Sequence, residues 1–227
     1  MAFDAGESLA ARIAGYLTTE IVRGNMISGE RIQEARVVNA LQVSRGSVRE
    51  ALLLLEKCHL VTILPRRGAF VAELTPQRVR SIYDLYVTLL TMLAEKLAQN
   101  WQTERAQPLL QQAAEAARLS AAEDHHAFID AGLETMNRAL ELADNEYLST
   151  VMRDLQPALY RTVALALRQA DDESGFAGQV ITDLINAAMH QQYDKIRDLV
   201  AAYGQRQCEL VLTALQSQPM AERDGRI

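Results

Sequence analysis

The stretch from Glu34 to Glu73 reads EARVVNALQVSRGSVREALLLLEKCHLVTILPRRGAFVAE. Residues 34–41 carry valine and leucine at helical spacing, and Gln42-Val43 forms a short turn after them. Ser44 is an N-cap candidate, because its side-chain oxygen can accept from a backbone N–H of the first turn of a helix running from about Arg45 to Lys57. This order of a short helix, a tight turn and a second helix predicts a helix-turn-helix.

Apolar and basic residues fall on different sides of the second predicted helix. At 100° per residue the apolar residues share one arc: Val48, Ala51, Leu52 and Leu55. Arg45 and Arg49 lie one turn apart beside that arc. Two guanidinium groups near the amino end of a helix suit the major groove of DNA, because Arg can pair bidentately with O6 and N7 of guanine. Ser44 and Ser47 can add phosphate or base contacts. The alternative is a core helix with a solvated basic edge.

Two short β-runs follow Leu60, and Pro65-Arg66-Arg67-Gly68 joins them into a predicted hairpin. Pro65 presets φ at the second turn position and Gly68 relieves the fourth. The hairpin therefore carries two positive charges at its tip, where such a wing rests on the phosphate backbone or in the minor groove. Arg36, on the first helix, is expected to contact phosphate. Because all these elements occur in order, DNA binding is favoured over the core-helix alternative.

The segment VSRGSVREALLLLEKCHLV, followed by PRRGAFVAEL, closely resembles the winged-helix domain of GntR-type bacterial transcription regulators. The upstream segment IVRGNMISGERI is similar to the one that precedes the winged helix there. The remainder of the chain resembles the helical FCD branch of that superfamily. The resemblance implies a homodimeric transcription regulator, a repressor or an activator, that binds an inverted-repeat operator in double-stranded DNA and senses a small-molecule effector in its helical domain.

The charge of the 227-residue chain divides unevenly. Residues 1–76 hold nine Lys/Arg and eight Asp/Glu, whereas the rest holds 14 and 21. We therefore expect a winged helix-turn-helix domain over residues 1–76, a helical effector-binding and dimerisation domain over 77–218, and a flexible tail over 219–227. The fold class is mainly α, with a C-terminal all-helical antiparallel bundle.

Helical periodicity dominates outside the hairpin. A helix is predicted from about Glu7 to Arg23, and Asn25–Arg31 is expected to be a loop. Thr75 is an N-cap candidate for a helix that has Pro76 at its first position and runs to about Trp101. Further helices are predicted over 104–121, 124–142, 146–170, 177–190 and 193–216, with Pro157 expected to kink or split the third of them. No strand pattern follows residue 74.

Cysteine usage and apolar content limit the class of protein. Cys58 and Cys208 lie in different predicted domains without a CxxC pair, which fits a reducing cytoplasm. No apolar stretch approaches the ~18 residues of a membrane span. The chain has no GxSxG elbow, phosphate-binding glycine loop or HExxH motif, so an enzyme is not expected.

The resemblance implies a divalent metal site, because many FCD domains hold a metal through one Asp and three His residues. The corresponding segment here is GLETMNRALELADN. The family's ligand positions are occupied, in either of two registers, by Gly132 and Met136 or Leu133 and Asn137, and then by Ile181 and Tyr203. The family-type metal site is therefore expected to be lost, and the adjacent His125 and His126 diverge by about 100° on a helix rather than rebuilding it.

Family members often carry an Arg in the first bundle helix that is thought to bind an effector carboxylate, but the neighbourhood here is Tyr86-Val87-Thr88. The polar and sulfur-containing candidates for lining an effector cavity are Tyr86, Met136, Asn137, Tyr160, Arg161, Tyr203 and Gln207. Arg161 is the most informative of them, because a partly buried Arg needs a partner and an anionic ligand would supply one. Two alternatives stay open: a ligand-free dimerisation bundle, and a helical ligand-binding protein that does not bind DNA.

Overall fold

The computed structural model describes residues 8–122, 124–170 and 172–217. These residues form two compact units. The first consists of the described residues up to Leu74 together with Asp154–Arg161, and the second contains the described residues from Thr75 onward, without that segment. The predicted tail at 219–227 lies outside the described residues.

Three helices and a small sheet make up most of the first unit. Its elements are α1 Leu9–Val22, β1 Arg31–Ile32, α2 Glu34–Leu41, α3 Arg45–Lys57, β2 Val61–Leu64 and β3 Gly68–Val71. The strands pair antiparallel in the order β1-β3-β2. The helix-turn-helix and hairpin are therefore confirmed, whereas the predicted loop over Asn25–Arg31 is wrong at its last residue. β1 has two residues, too few to show the alternation by which a sequence predicts a strand.

The buried face of α3 fixes this helix in the first unit. Helix α1 packs on α3, and both contribute to one apolar cluster. The cluster residues of these two helices include Ile13, Leu17, Ile21, Val48, Ala51, Leu52 and Leu55. Burying a side chain the size of Leu or Ile stabilises the fold by roughly 1.5–3 kcal/mol. The apolar arc predicted for α3 thus lies in the core, and the arginines beside it remain outside.

Six helices account for all the regular structure of the described chain after Leu74. They are α4 Pro76–Gln99, α5 Thr103–Ser120, α6 His125–Leu142, α7 Glu146–Leu167, α8 Glu173–Met189 and α9 Tyr193–Ser217. In the second unit, α4 packs against α8 and α9, and α5 packs against α6 and α8. None of the helices in the described ranges is both long enough and apolar enough to span a bilayer.

Helix boundaries in the second unit confirm one prediction and correct two. Thr75 Oγ1 accepts from Arg78 N at 3.2 Å, and Pro76 occupies the first turn as predicted. Of the kink or split predicted at Pro157, the split is wrong, because α7 continues through this residue. Helix α8 begins at Glu173 rather than 177. A Cβ at Gly178 would lie within 3 Å of the Ser120 side chain, so this glycine serves close packing inside α8 rather than a break.

Candidate nucleic-acid interface and bundle core

The side chain of Ser44 caps the amino end of α3. Ser44 Oγ accepts from Ser47 N at 3.1 Å and lies 2.9 Å from Ser47 Oγ, which confirms Ser44 as the N-cap. Arg45, one residue on, is exposed. The N–H groups and positive dipole end of a helix favour an anion such as phosphate. The end of α3 therefore offers hydroxyls, backbone donors and a guanidinium together.

Arg49 lies on the exposed side of α3, one turn after Arg45, and is engaged by the preceding helix. Its Nε donates to Glu34 Oε2 at 3.0 Å, and its side chain is still 69% exposed. Arg36 is exposed on α2. The structure thus leaves all three predicted arginines of the helix-turn-helix accessible, and it adds an ion pair with Glu34 that helical periodicity did not indicate.

The hairpin tip presents the two wing arginines to solvent. Arg67 N donates to Leu64 O at 3.1 Å, so the turn closes at Arg67, and the prediction that Gly68 is its fourth residue is wrong. Gly68 instead starts β3 with φ 95°, and Arg66 is held at φ 63°. Both lie in the left-handed region, where glycine is favoured. The Arg67 guanidinium carbon lies 5.9 Å from the centre of the Phe70 ring.

Arg31 extends the basic surface of the wing. It belongs to β1 and pairs in register with Phe70 of β3. Its Nε and Nη2 lie 3.7 Å from where a side chain at Gly68 would begin. Together with Arg66 and Arg67 it places three guanidinium groups on or beside the hairpin, in a unit that also carries the arginines of α3. Clustered positive charge of this kind is the electrostatic footprint of a nucleic-acid-binding surface.

Arg161 lies in the first unit, where its neighbour is a backbone carbonyl. It is buried, and its Nη1 donates to Ala72 O, just after β3, at 2.5 Å. Burial lowers the pKa of Arg161 to about 10. Lys57 Nζ and Asp154 Oδ2 form a second contact of this unit, at 3.0 Å. The predicted need of Arg161 for a partner is therefore met within the protein, and Tyr160 belongs to the same unit.

Three of the other predicted effector residues come together in the second unit. Tyr86, Met136 and Tyr203 are half-buried and pack against the same apolar cluster. Tyr86 meets Tyr83 edge-on, with ring centroids 6.4 Å apart, and burial raises its pKa. The Tyr203 ring stacks on Phe176, with centroids 6.5 Å apart. Asn137 follows Met136 on α6 and is half-buried.

Gln207 belongs to a buried polar group that the sequence did not reveal. It is 1% exposed, and its Nε2 donates to Glu173 Oε1, while its Oε1 has no hydrogen-bond partner among the described residues. The Glu173 side chain is 0% exposed and also accepts from Arg206 Nε at 2.7 Å. Arg206 in turn lies over the Phe176 ring, 4.4 Å from its centre.

The surroundings of the Glu173 carboxyl change its pKa. Burial raises the pKa of Glu173, although the hydrogen bond from Arg206 acts in the opposite direction. Nearby, Tyr83 and Thr162 share a buried hydrogen bond of 2.8 Å between their hydroxyls. Glu173 was missed because α8 was predicted to start four residues later.

The residues of the second unit do not fit the divalent metal that many FCD domains hold. The corresponding positions carry an apolar side chain at Ile181 and a phenol at Tyr203. Divalent metals in proteins are held by imidazole, carboxylate, thiolate or carbonyl ligands. Across the described ranges, no group of three or more His, Cys, Asp or Glu side chains is placed to hold a metal ion.

A surface cavity of about 420 Å³ lies at the amino end of α6. Its lining residues are Ala122, Asp124, His125, His126, Ile129, Ala164 and Arg168. The Nδ1 atom of His125 is buried there, and the part of the chain that the structure describes gives it no hydrogen-bond partner. None of the predicted effector residues lines this cavity, so it is a separate concavity of the second unit.

Comparison with protein families gives two matches that follow each other along the chain. The family described as bacterial regulatory proteins, gntR family, matches residues 9–71. The FCD domain family matches residues 81–206, more than half of the chain. The first match contains the helix-turn-helix and hairpin, and the second contains most of α4–α9.

Individual relatives give the same picture. The gluconate operon transcriptional repressor of Bacillus subtilis (strain 168) is 26% identical over 215 residues, which cover 85% of each chain. The solved structure of E. coli McbR/YncC has a TM-score of 0.77 at 16% identity, covering 92% of this chain and 100% of that one. A putative GntR transcriptional regulator from Rhodococcus sp. RHA1 has a TM-score of 0.66 at 21% identity, covering 94% and 100%. Both structural likenesses concern the fold.

Proposed function

Because the chain belongs to the GntR family of bacterial regulatory proteins and carries an FCD domain, we propose that it is a homodimeric repressor that releases an inverted-repeat operator when an effector binds. Its general function follows from the family: it is a DNA-binding transcription regulator and not an enzyme. We further propose which residues contact DNA and the effector, and that the protein acts in the cytoplasm.

The observation that carries the DNA-binding part of the proposal is the exposed amino end of α3. Arg45 and Arg49 project from it while the opposite face is buried. We assign these two arginines to base edges in the major groove, and Ser44 and Ser47 to phosphate or base contacts. Arg66, Arg67 and Gly68 of the hairpin, with Arg36 of α2, are assigned to the DNA backbone.

Selection from a random pool of duplex DNA tests this assignment and the dimer together. An enriched inverted repeat whose half-sites lie about one helical turn apart is expected for two readers related by twofold symmetry. Sedimentation of the free protein should give twice the chain mass. A pool without enrichment would favour the alternative of a helical ligand-binding protein that does not bind DNA.

Arg67→Ala should weaken binding to every duplex rather than change base preference. A guanidinium on the phosphate backbone contributes by releasing counterions, so its removal lowers the slope of log K against log salt by about one per protomer. We expect a loss of about three- to tenfold, measured on the selected operator and on a scrambled duplex. Arg12→Ala, which removes an exposed Arg from α1, is the control. A loss confined to one base position would contradict the backbone role.

For the effector, we propose a small anion bound near Tyr86, Met136, Asn137, Tyr203 and Gln207. Support comes from the relative that represses a gluconate operon, since gluconate is a small hydroxy acid. Arg206 supplies a cation near Tyr203, because Phe176 stacks on Tyr203 and underlies the guanidinium. Glu173 and Asp172 already neutralise that cation, so an anion has to compete with them. Tyr160 and Arg161 belong to the first unit, where Arg161 donates to Ala72 O, so these two residues are not assigned to the effector.

Thermal unfolding with matched ligands tests the effector proposal. Gluconate and other small hydroxy acids are compared with neutral polyols of the same size, such as sorbitol. A ligand present at 100 times its Kd should raise Tm by about 5 °C or more. Tyr86→Phe and Tyr203→Phe should reduce the shift, and His126→Ala, at the α6 cavity, should not. A shift lost only in His126→Ala would move the site to that cavity, and no shift with any ligand would favour a ligand-free dimerisation bundle.

A further inference from the structure

The two exposed arginines of α3 differ in their ion pairs. Arg49 donates its Nε to Glu34 Oε2 at 3.0 Å. Arg45 forms no such ion pair within the described part of the chain. Glu34 is the first residue of α2, and its side chain is 30% exposed. The contact therefore joins the first helix of the helix-turn-helix to the outer side of the second.

The atoms used in this ion pair matter for recognition. A guanidinium carries five N–H donors in a planar fork, and Nε supplies one of them. Donation from Nε to the carboxylate leaves Nη1 and Nη2, the end of the fork, for a bidentate contact with guanine O6 and N7. The carboxylate also fixes the plane of the fork. A fixed planar fork loses less side-chain freedom when it pairs than a free one.

The negative charge of Glu34 also favours a base contact by Arg49 over a phosphate contact. A carboxylate within hydrogen-bonding distance of Arg49 neutralises much of its attraction to phosphate and repels a phosphate that approaches the same nitrogen. An exposed ion pair of this kind contributes little to folding stability. We therefore expect the ion pair to affect which DNA groups Arg49 binds, and to leave the stability of the fold nearly unchanged.

We propose that Glu34 is a positioning residue for DNA recognition: it orients the Arg49 guanidinium toward a base edge and keeps it from acting as a non-specific phosphate contact. This inference rests on the proposed reading of DNA by α3. It assigns sequence selectivity at one base pair of each half-site to a carboxylate that need not touch DNA.

The test compares charge-removing and charge-conserving variants on the operator selected by the wild type. The base pair read by Arg49 is first located as the position at which Arg49→Ala loses its preference. Glu34→Gln should reduce discrimination at that base pair about tenfold, raise affinity for scrambled DNA, and steepen its salt slope by about one per protomer because the freed guanidinium reaches phosphate. Glu34→Asp keeps the charge but shortens the side chain, so it should lose selectivity without raising non-specific affinity as much.

Glu50→Gln is the matched control, because Glu50 is an exposed carboxylate next to Arg49 in sequence. It removes the same charge and should affect both duplexes alike, with base discrimination retained. Unfolding temperatures verify that each variant is folded. The inference is overturned if Glu34→Gln keeps the wild-type discrimination, or if it behaves as Glu50→Gln does. Failure of the wild type to select any sequence would instead overturn the proposed function.

Discussion

We expect Arg49→Ala to lower affinity for the selected operator about 100-fold while the oligomeric state stays unchanged. A bidentate contact from Arg to guanine contributes about 1–3 kcal/mol of discrimination, and each protomer of a dimer would lose one. The side chain is 69% exposed and lies outside the apolar cluster, so its removal leaves the core of the first unit intact. Titration of labelled operator at fixed salt measures the loss, and sedimentation checks the mass.

Arg49→Lys separates the shape of the side chain from its charge. Lys keeps a positive charge near Glu34 but lacks the planar fork, so it should lose most of the base preference while retaining most of the affinity for scrambled DNA. An operator affinity for Arg49→Ala within about threefold of the wild type would remove Arg49 from the reading surface. Equal losses on operator and scrambled DNA would make Arg49 a phosphate contact.

The cap and exposed face of α3 and the hairpin were predictable, because they depend on contacts between residues close in sequence. Ser44 caps the helix that it precedes, and the alternation of apolar and polar residues at helical spacing decides which face of α3 is buried. The hairpin follows from two β-runs around a turn. The contact from Arg49 to Glu34 was not predictable in the same way, since it joins residues 15 apart on different helices. Periodicity gives the face of each residue but not its partner on another element.

Buried polar contacts were harder to predict for the same reason. Arg161 was expected to need a partner, and an anionic ligand was the candidate, but the carbonyl of Ala72, 89 residues away in sequence and in the same unit, accepts from it. Glu173 lies between the helices predicted over 146–170 and 177–190, so its burial was not predicted. Gly178 permits the close approach of Ser120. Helical spacing predicted the number of helices, and only packing determined which polar groups are buried together.

Arg206→Ala should destabilise the second unit by about 3 kcal/mol at neutral pH. Removing one partner of a buried ion pair costs about 3–5 kcal/mol, and the lower end applies because the Arg206 side chain is 36% exposed. Of the donors to Glu173 in the described ranges, the Gln207 amide would remain, in a place where the Glu173 side chain is 0% exposed. Urea unfolding measures the loss. Arg138→Ala, which breaks pairs with the exposed Glu134 and Glu141, should cost less than about 1 kcal/mol.

The loss in Arg206→Ala should depend on pH in a definite direction. Burial already raises the pKa of Glu173 above its usual 4.5, and removing the cation raises it further. A carboxyl whose pKa is higher in the folded than in the unfolded protein binds more protons when folded. Stability is therefore retained below the unfolded pKa and lost as pH rises through the folded pKa. The deficit should be small below about pH 4.5 and should grow as the pH rises through the folded pKa of Glu173.

Adding Glu173→Gln to Arg206→Ala should restore most of the stability and remove the pH dependence. A neutral amide at position 173 can accept from Gln207 Nε2 and donate to Gln207 Oε1, an atom for which the described residues of the wild type supply no hydrogen-bond partner. The double variant thus replaces an uncompensated buried charge with a pair of amides. Its unfolding free energy is compared with that of Arg206→Ala across the same pH range. A double variant no more stable than Arg206→Ala, or a deficit independent of pH, would show that the buried carboxylate is not what makes Arg206 necessary.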